Sequence, residues 1–354
     1  MYAFEIYSIR GSFITFCDVK EEDMEKFIQG ASMPYVVALL VVGFVLLIKG
    51  ADYFVEGSSS IAKRLRVPSI IIGLTIVAMG TSLPETAVSV TASLAGNNAL
   101  AVSNVVGSNI FNLMFVIGVC SILTPIAVQR DTIVRDIPLS VICAVLLSGL
   151  GVLAVGDKAH YILGHLDGVI FLVLFSVYIV MMIRSALKAR EEGKTVVVEG
   201  EEDLKVMTYP KSILFIVGGA IAIAIGGDLT VDTASRIAVK LGMSQTLVGL
   251  TIVSIGTSLP ELVTSVVAAG KNEVDMAVGN AVGSNIFNIL MVLGIASAIK
   301  PISLLTENLI DIMILIGFSL LVWLFAATKK KITRKESLVM VGLYLIYAIY
   351  IILR

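Results

Sequence analysis

Charged residues are scarce in this sequence. Asp, Glu, Lys and Arg make up 15% of its 354 residues, whereas soluble domains carry about 25%. Hydrophobic residues make up 57%, and the mean hydropathy is +0.97. Apolar runs of roughly 20 residues, long enough to cross a bilayer as a helix, recur along the chain. This composition excludes a soluble domain and predicts an all-α polytopic membrane protein.

Histidine and cysteine are also rare. The two histidines, His160 and His165, fall in a short connection between apolar runs, and no H-E-x-x-H pattern is present. Cys17, Cys120 and Cys143 lack the spacing of a metal site or a disulfide framework, so we expect free thiols. No nucleophile–histidine–acid arrangement fits within the apolar runs. We therefore predict that the protein is not an enzyme and uses no cofactor.

The apolar runs predict ten membrane-spanning helices with mostly short connections. Residues 1–32 are acidic and differ from the rest. We interpret them as an N-terminal tail, with Met33 as a candidate native start. The predicted spans cover about residues 34–57, 68–94, 100–123, 135–155, 162–183, 211–235, 244–269, 275–299, 307–327 and 336–353.

The longest connection, residues 184–210, is rich in charge and separates two halves of five spans, 33–183 and 211–354. Lys and Arg number 17 in the connections after odd-numbered spans and 4 in those after even-numbered spans. Cytoplasmic connections carry the excess of Lys and Arg in membrane proteins. We therefore expect a multi-pass protein of the cell membrane, with both termini outside and the 184–210 connection in the cytoplasm.

The two halves contain a repeat. At an offset of 176, residues 73–118 match residues 249–294 at 26 of 46 positions without a gap. The similar regions extend over about residues 68–123 and 244–299. Because the paired spans are five apart, an odd number, the two copies cross the membrane in opposite directions. Such inverted repeats are typical of secondary transporters, whose site lies between the copies near the midplane.

A six-residue motif stands at the centre of each copy. It reads Gly-Thr-Ser-Leu-Pro-Glu and ends at Glu85 in the first copy and at Glu261 in the second. A carboxylate inside a membrane span is costly and indicates a functional site. Pro84 and Pro260 lack an N–H and break a helix. We expect free backbone carbonyls just before each proline, near Ala78, Met79, Gly80, Ser254, Ile255 and Gly256.

Each copy of this motif offers oxygen ligands on one helix face, because residues three or four apart are neighbours there. They are the side chains of Thr81, Ser82 and Glu85, and of Thr257, Ser258 and Glu261. Hard oxygen ligands suit Ca²⁺, Na⁺ or Mg²⁺ rather than zinc or copper. Two such copies facing each other supply enough oxygens for the six to eight that Ca²⁺ takes.

A second motif, Gly-Ser-Asn-Ile-Phe-Asn, is also duplicated. Its serine and last asparagine are four apart and share a face. We expect their oxygens to complete the cation shell, and we expect the middle asparagines, Asn109 and Asn285, to cap or bridge helices. The predicted ligands of this motif are Ser108, Asn112, Ser284 and Asn288.

The two motifs, duplicated in inverted order within ten spans, resemble the α-repeats of the Ca²⁺/cation antiporter superfamily, and of prokaryotic sodium/calcium exchangers in particular. The resemblance covers the chain from Met33 onward. It implies a central core of spans 2, 3, 7 and 8, with spans 1 and 6 sliding past it.

The resemblance also assigns roles to individual residues. Glu85 and Glu261 correspond to the glutamates that Ca²⁺ and Na⁺ share. Thr81, Thr257, Ala78 and Ser254 correspond to positions that give backbone carbonyls, and Ser82 and Ser258 to outlying Na⁺ sites. Ser108, Asn112 and Ser284 correspond to polar ligands. Where related exchangers have an aspartate on span 8, this chain has Asn288, so its site holds two carboxylates rather than three.

The sequence therefore predicts an antiporter that exchanges Ca²⁺ for Na⁺ by alternating access. Two carboxylates balance one Ca²⁺ or two Na⁺, and an empty core would carry two uncompensated buried charges, which is costly. A Ca²⁺/H⁺ exchanger and a passive cation channel remain alternatives. The expected partners are Ca²⁺, Na⁺ and membrane lipid, with no nucleic acid and no obligate protein partner.

Overall fold

The computed structural model describes residues 32–95, 98–153, 161–192, 206–243, 252 and 254–353. Nearly all of the predicted N-terminal tail lies outside this part, as do Cys17 and His160. Cys120 and Cys143 are buried free thiols, as expected.

Helices make up nearly all of the described chain, which confirms the all-α prediction. Helices α1 to α12 are Met33–Leu65, Ser69–Thr81, Leu83–Leu94, Leu100–Leu123, Thr132–Val152, His165–Glu191, Tyr209–Lys240, Ser254–Gly256, Leu259–Gly270, Val274–Ile299, Thr306–Lys329 and Arg334–Leu353.

Eight of these helices are long and apolar enough to cross a membrane: α1, α4, α5, α6, α7, α10, α11 and α12. The bent pair of α2 and α3 makes a ninth candidate span. The predicted seventh span is represented by α8 and the 12-residue helix α9, because residues 244–251 and 253 lie outside the described part. A count of ten is therefore not confirmed by the described helices alone.

Both motif helices break where the sequence predicts it. Helices α2 and α3 meet at Ser82 with a bend of 48°, and the second copy is interrupted between Gly256 and Leu259. In both copies the new helix starts one residue before the proline, whose missing N–H is tolerated in the first turn of a helix. Both breaks therefore lie among the polar residues of the duplicated motif.

The expectation that every carbonyl ahead of the breaks is free is wrong in two places. The carbonyl of Ala78 accepts a hydrogen bond from the Ser82 N–H at 3.0 Å, and that of Ile255 accepts one from the Ser258 N–H at 3.1 Å. The first bond spans four residues, as in a regular α-helix, and the second spans three, which tightens the last turn, as helix ends commonly do. Each carbonyl still has a second lone pair for another partner.

The centre of the fold is built from the repeat helices, as the resemblance implies. Helices α4 and α10 have the largest buried share of all the candidate spans. Helices α2 and α10 touch through two glycines. A Cβ on Gly73 would lie 2.6 Å from the Met276 carbonyl oxygen, and a Cβ on Gly279 would lie 2.6 Å from that of Ile70. A larger residue at either position would separate the two helices.

Helices α1 and α7 form a second unit beside this centre. Their backbones approach through glycines of both helices. A Cβ on Gly50 would lie 3.0 Å from the Gly219 carbonyl oxygen, and one on Gly219 would lie 2.7 Å from that of Gly50. Both helices are longer than predicted, at 33 and 32 residues. Small residues at such contacts let membrane helices pack closely.

Two features were not predicted. Short antiparallel ladders join connections, β1 (Ile126–Ala127) with β4 (Lys331–Ile332) and β2 (Tyr161–Leu163) with β3 (Ile302–Leu304). Segments of π-helix also interrupt several spans, including Phe111–Val116 in α4 and Asn288–Leu293 in α10. Such π segments are frequent at functional sites, and these two contain Asn112 and Asn288.

Candidate functional site

The structure brings the motif residues of both copies together in the interior. Glu85 and Glu261 are fully buried, and Ser82 and Ser258 are also 0% exposed. They lie in the first turn of α3 and α9 or just before it, because the breaks turn these residues inward. Two carboxylates without solvent exposure are expensive in a membrane span unless something compensates them.

Hydrogen bonds cross between the copies. Ser82 donates its hydroxyl to Glu261 Oε1 at 3.2 Å, and Ser258 donates to Glu85 Oε1 at 3.2 Å. Ser258 also lies 2.9 Å from the hydroxyl of Ser108. The serine of each copy thus holds the carboxylate of the other, and the two motifs form one site.

Several buried oxygens at this site have no hydrogen-bond partner among the described residues. They include the second oxygen of each carboxylate, Oε2 of Glu85 and Oε2 of Glu261. Oδ1 of Asn112 and Oδ1 of Asn288 share this property. Buried polar atoms are nearly always satisfied in proteins. Four orphaned oxygens in one interior cluster therefore fit a site that binds a cation.

The second motif lines the same interior. Ser108, Asn112, Ser284 and Asn288 are at most 2% exposed. The Asn288 amide donates to Asn109 Oδ1 at 3.1 Å, whereas neither polar atom of the Asn112 side chain has a partner among the described residues. The two equivalent asparagines therefore differ in how firmly they are held.

Asn109 and Asn285 bridge the two copies, as expected. Each donates its amide to the other's backbone carbonyl, at 3.1 Å in both directions. The reciprocal pair clamps α4 against α10. Asn112 and Asn288 lie about one helical turn after this pair. The positions of their backbones are therefore fixed by the contact between α4 and α10.

The threonines and the backbone positions are placed less uniformly. Thr81 is 1% exposed and lies 3.5 Å from the hydroxyl of Ser284, whereas Thr257 is half-buried. Ala78 is buried next to the break. Helix α8 begins at Ser254, but the side chain of that residue lies outside the described part.

Two residues that contact the glutamate motifs were not predicted from the sequence. Asn104 and Asn280 also match at the offset of 176, and each contacts the glutamate-bearing helix of its own copy. The signal that finds them is their identity within the 73–118 and 249–294 alignment. They were overlooked because they lie outside both six-residue motifs.

A cavity of about 490 Å³ lies beside the second break. It runs between α3, α7 and α9, and its lining includes Thr257 and Pro260 of the second motif. Asp228 and Asp232 of α7 also line it. We call this the open side. Glu85 and Glu261 do not line it and are 0% exposed, so the cavity ends short of the two carboxylates.

The opposite side of the molecule is closed by α1. A Cβ on Gly80 would lie 2.7 Å from the ring of Phe54, which is 1% exposed. Lys271, after α9, forms an ion pair with Asp52 of α1 at 2.7 Å and lies 4.0 Å from Glu56. We call this the closed side. In the described part of the chain, an ion pair thus lies beside the first break and a cavity beside the second.

The donor set defines the chemistry. Among the described residues, no three His, Cys, Asp or Glu side chains group together as a metal site. The cluster instead combines two carboxylates with neutral hydroxyl and amide oxygens. Such a set suits a hard cation that is bound reversibly, with a compensating charge equal to one divalent ion.

The chain is similar to known exchangers along most of its length. The family model described as sodium/calcium exchanger protein matches residues 35–184 and 211–353. The sodium/calcium exchanger MaX1 of Methanosarcina acetivorans is 33% identical over 340 residues, covering 88% of this chain and 97% of that protein. The putative antiporter CaxA of Alkalimonas amylolytica is 43% identical over 263 residues, or 74% and 80% of the two chains.

The fold matches as well. A solved structure of the sodium-calcium exchanger NCX_Mj, soaked with 10 mM Na⁺ and zero Ca²⁺, aligns with a TM-score of 0.74 at 32% identity and covers 89% of this chain and 98% of that chain. These matches include both repeats and the helices around them. The chain therefore belongs to the sodium/calcium exchanger protein family, and it is an integral, multi-pass membrane cation antiporter.

Proposed function

We propose that this antiporter exchanges Ca²⁺ for Na⁺ across the membrane by alternating access. The observation that carries the proposal is the buried pair of carboxylates, Glu85 and Glu261. Each is held through one oxygen by a serine of the opposite copy, and its other oxygen has no partner among the described residues. The names of the relatives point to the same pair of ions.

The proposed ligands are the carboxylates of Glu85 and Glu261, the side-chain oxygens of Asn112 and Asn288, and backbone carbonyls at the two breaks. Ca²⁺ takes six to eight oxygens at roughly 2.3–2.6 Å, and this set is large enough. The proposed outlying Na⁺ ligands are Ser82 and Ser258, and the remaining proposed contributors are Thr81, Thr257, Ala78, Ser254, Ser108 and Ser284.

Charge explains why exchange is obligatory in this proposal. Two ionised carboxylates are neutralised by one Ca²⁺ or by two Na⁺. Without either, the core carries two buried negative charges, and moving uncompensated charge through a dry pathway is heavily penalised. The empty protein is therefore held on one side, while the loaded protein switches.

Alternating access is proposed to arise from movement of α1 and α7 across the repeat helices. The two helices touch each other through glycines and flank both sides of the site. Shifting them would withdraw Phe54 from Gly80 and cover the cavity beside Thr257. We propose that residues 33–183 and 211–354 are the two halves, that residues 184–210 form a cytoplasmic linker, and that both termini are outside.

A flux assay tests the choice of ions. The purified protein is reconstituted into liposomes, and uptake of ⁴⁵Ca²⁺ is measured with an outward Na⁺ gradient, with an imposed pH gradient, or with neither. We expect uptake with the Na⁺ gradient alone. Equal uptake with the pH gradient alone would establish a Ca²⁺/H⁺ exchanger instead. Equally fast uptake with neither gradient would indicate a channel and would overturn the exchange mechanism.

A further inference from the structure

Asn280 joins three elements around the second carboxylate. Its Nδ2 donates to the hydroxyl of Ser265 at 2.9 Å and to the backbone carbonyl of Glu261 at 3.3 Å. Its Oδ1 accepts a hydrogen bond from the hydroxyl of Thr81 at 3.0 Å. One amide on α10 thus holds the helix that carries Glu261 and the broken end of α2.

Asn104 makes the same contacts in the other copy. Its Nδ2 donates to Ser89 at 2.9 Å and lies 3.5 Å from the backbone carbonyl of Glu85. Its Oδ1 accepts from the hydroxyl of Thr257 at 3.2 Å. All four residues of this network have identical counterparts 176 positions away, so the arrangement occurs twice by sequence as well as by geometry.

We propose that Asn104 and Asn280 are positioning residues for the cation site. Each ties the glutamate of its own copy to the threonine of the other copy, and it does so from outside the proposed ligand set. The inference rests on the proposed function, since it requires that a cation binds between the glutamates. It adds two residues that set the spacing of the ligands without touching the ion.

The chemistry of the asparagine side chain explains the choice of residue. The contact needs donors toward the serine and the glutamate carbonyl, and an acceptor toward the threonine hydroxyl. A primary amide supplies both, whereas an aspartate supplies acceptors only. With its hydroxyl held by the amide, Thr81 keeps its backbone in one orientation at the break. Partners that orient ligands typically change metal affinity about 10- to 100-fold when they are removed.

The Asn280–Thr81 and Asn104–Thr257 bonds should not contribute equally to cation affinity in this structure. Asn280 and Thr81 are at most 1% exposed, so no water can readily replace their bond. Asn104 and Thr257 are half-buried, and Thr257 lines the cavity. We therefore choose the buried copy for the test.

The test compares Ca²⁺ concentrations at half-maximal uptake in reconstituted vesicles. Asn280→Ala should raise this concentration about 10- to 100-fold, and Thr81→Val should raise it by removing the same bond. The double variant should be no worse than Asn280→Ala, because residues that share one interaction are not additive. Thr81→Ser keeps the hydroxyl that bonds Asn280, so its half-maximal concentration should be lower than that of Thr81→Val.

Asn308→Ala is the matched control. Asn308 is a buried asparagine whose amide donates to Ser103 and whose Oδ1 accepts from the Leu305 N–H, outside the motif cluster. Its loss should lower the melting temperature and leave half-saturation unchanged. Unchanged half-saturation in Asn280→Ala, or the same shift in Asn308→Ala, would overturn the inference.

If Asn280→Ala does not fold, the comparison of Thr81→Val with Thr81→Ser decides, since equal half-saturation in these two would also overturn the inference. The proposed function fails separately, when the wild type itself shows no saturable, Na⁺-driven Ca²⁺ uptake.

Discussion

The two copies of the repeat have nearly the same motif in different surroundings. Around the first copy, Gly80 is covered by Phe54 and Thr81 is buried. Around the second, Thr257 is half-buried and lines a cavity, whereas Gly256 is buried against Val231. Inverted repeats allow this, because identical sequences need not adopt identical environments at the same moment. The difference between the copies is therefore clearest at Thr81 and Thr257, which are equivalent in sequence but not in exposure.

The charges on α1 and α7 show the same contrast. Asp52 and Glu56 on the closed side are equivalent by the offset of 176 to Asp228 and Asp232, which line the cavity. Lys271 bridges the first pair to α9, but its equivalent in the sequence is Ala95. Lys271 therefore ties α1 to the segment after α9 on the closed side, at a position where the first copy has an alanine.

The largest expected effect comes from the two glutamates, at which the two copies should behave alike. Glu85→Gln and Glu261→Gln each remove half of the compensating charge at one shared site. Losing one partner of a buried charge pair costs about 3 kcal/mol or more, which is at least about 100-fold in affinity. We expect both variants to insert normally and to lose Ca²⁺ uptake. Normal uptake by either one would refute the shared site.

A smaller effect is expected at Asn112 and Asn288, whose hydrogen bonds differ between the two copies. Asn288→Asp loses the donor that bonds Asn109 and sets two acceptors against each other. Asn112→Asp breaks no hydrogen bond among the described residues. We expect Asn288→Asp to lower the free energy of unfolding by about 1–3 kcal/mol more than Asn112→Asp. Denaturation in detergent measures this, and equal stabilities would show that the asparagines are equivalent.

The smallest effect concerns the closed side. Lys271→Met removes the ion pair between α1 and the segment after α9 while keeping the length of the side chain. A partly exposed pair contributes about 0.2–1 kcal/mol, so opening should increase up to about fivefold. The rate of alkylation of Ser58→Cys, a substitution at a fully buried position of α1, reports this opening, relative to the parent without that cysteine.

Lys49→Met provides the control for this measurement. Lys49 also lies near Asp52, at 3.8 Å, but it belongs to the same helix and bridges nothing. The variant removes the same charge and should leave the alkylation rate unchanged. An equal increase in the alkylation rate of both variants would attribute the effect to net charge. The Lys271 ion pair would then not explain a difference between the two sides.

Local chemistry accounts for what the sequence predicted well. Pro84 and Pro260 break their helices for a reason that lies within a few residues, and buried carboxylates mark a site because lipid disfavours them anywhere. The pairing of the copies also follows from identity at a fixed offset. The fate of the Ala78 carbonyl was predicted wrongly, because the last turn closes on itself instead of leaving the oxygen free.

Hydrogen bonds between residues far apart in the sequence cannot be predicted from local sequence chemistry. The bonds from Ser82 to Glu261 and from Thr81 to Asn280 join residues 179 and 199 positions apart. Which atoms meet over that separation depends on how four helices pack, and helical periodicity along one span carries no such information.

The sequence by itself therefore determined the membrane class, the inverted repeat, the breaks and the candidate oxygen ligands, since each depends on residue type and spacing. Only the tertiary structure decided which buried oxygens lack a partner among the described residues, which atoms Asn104 and Asn280 contact, and that Lys271 ties α1 to the segment after α9. These depend on contacts between copies. One sequence pattern, used twice, has two different sets of neighbours as soon as the helices pack.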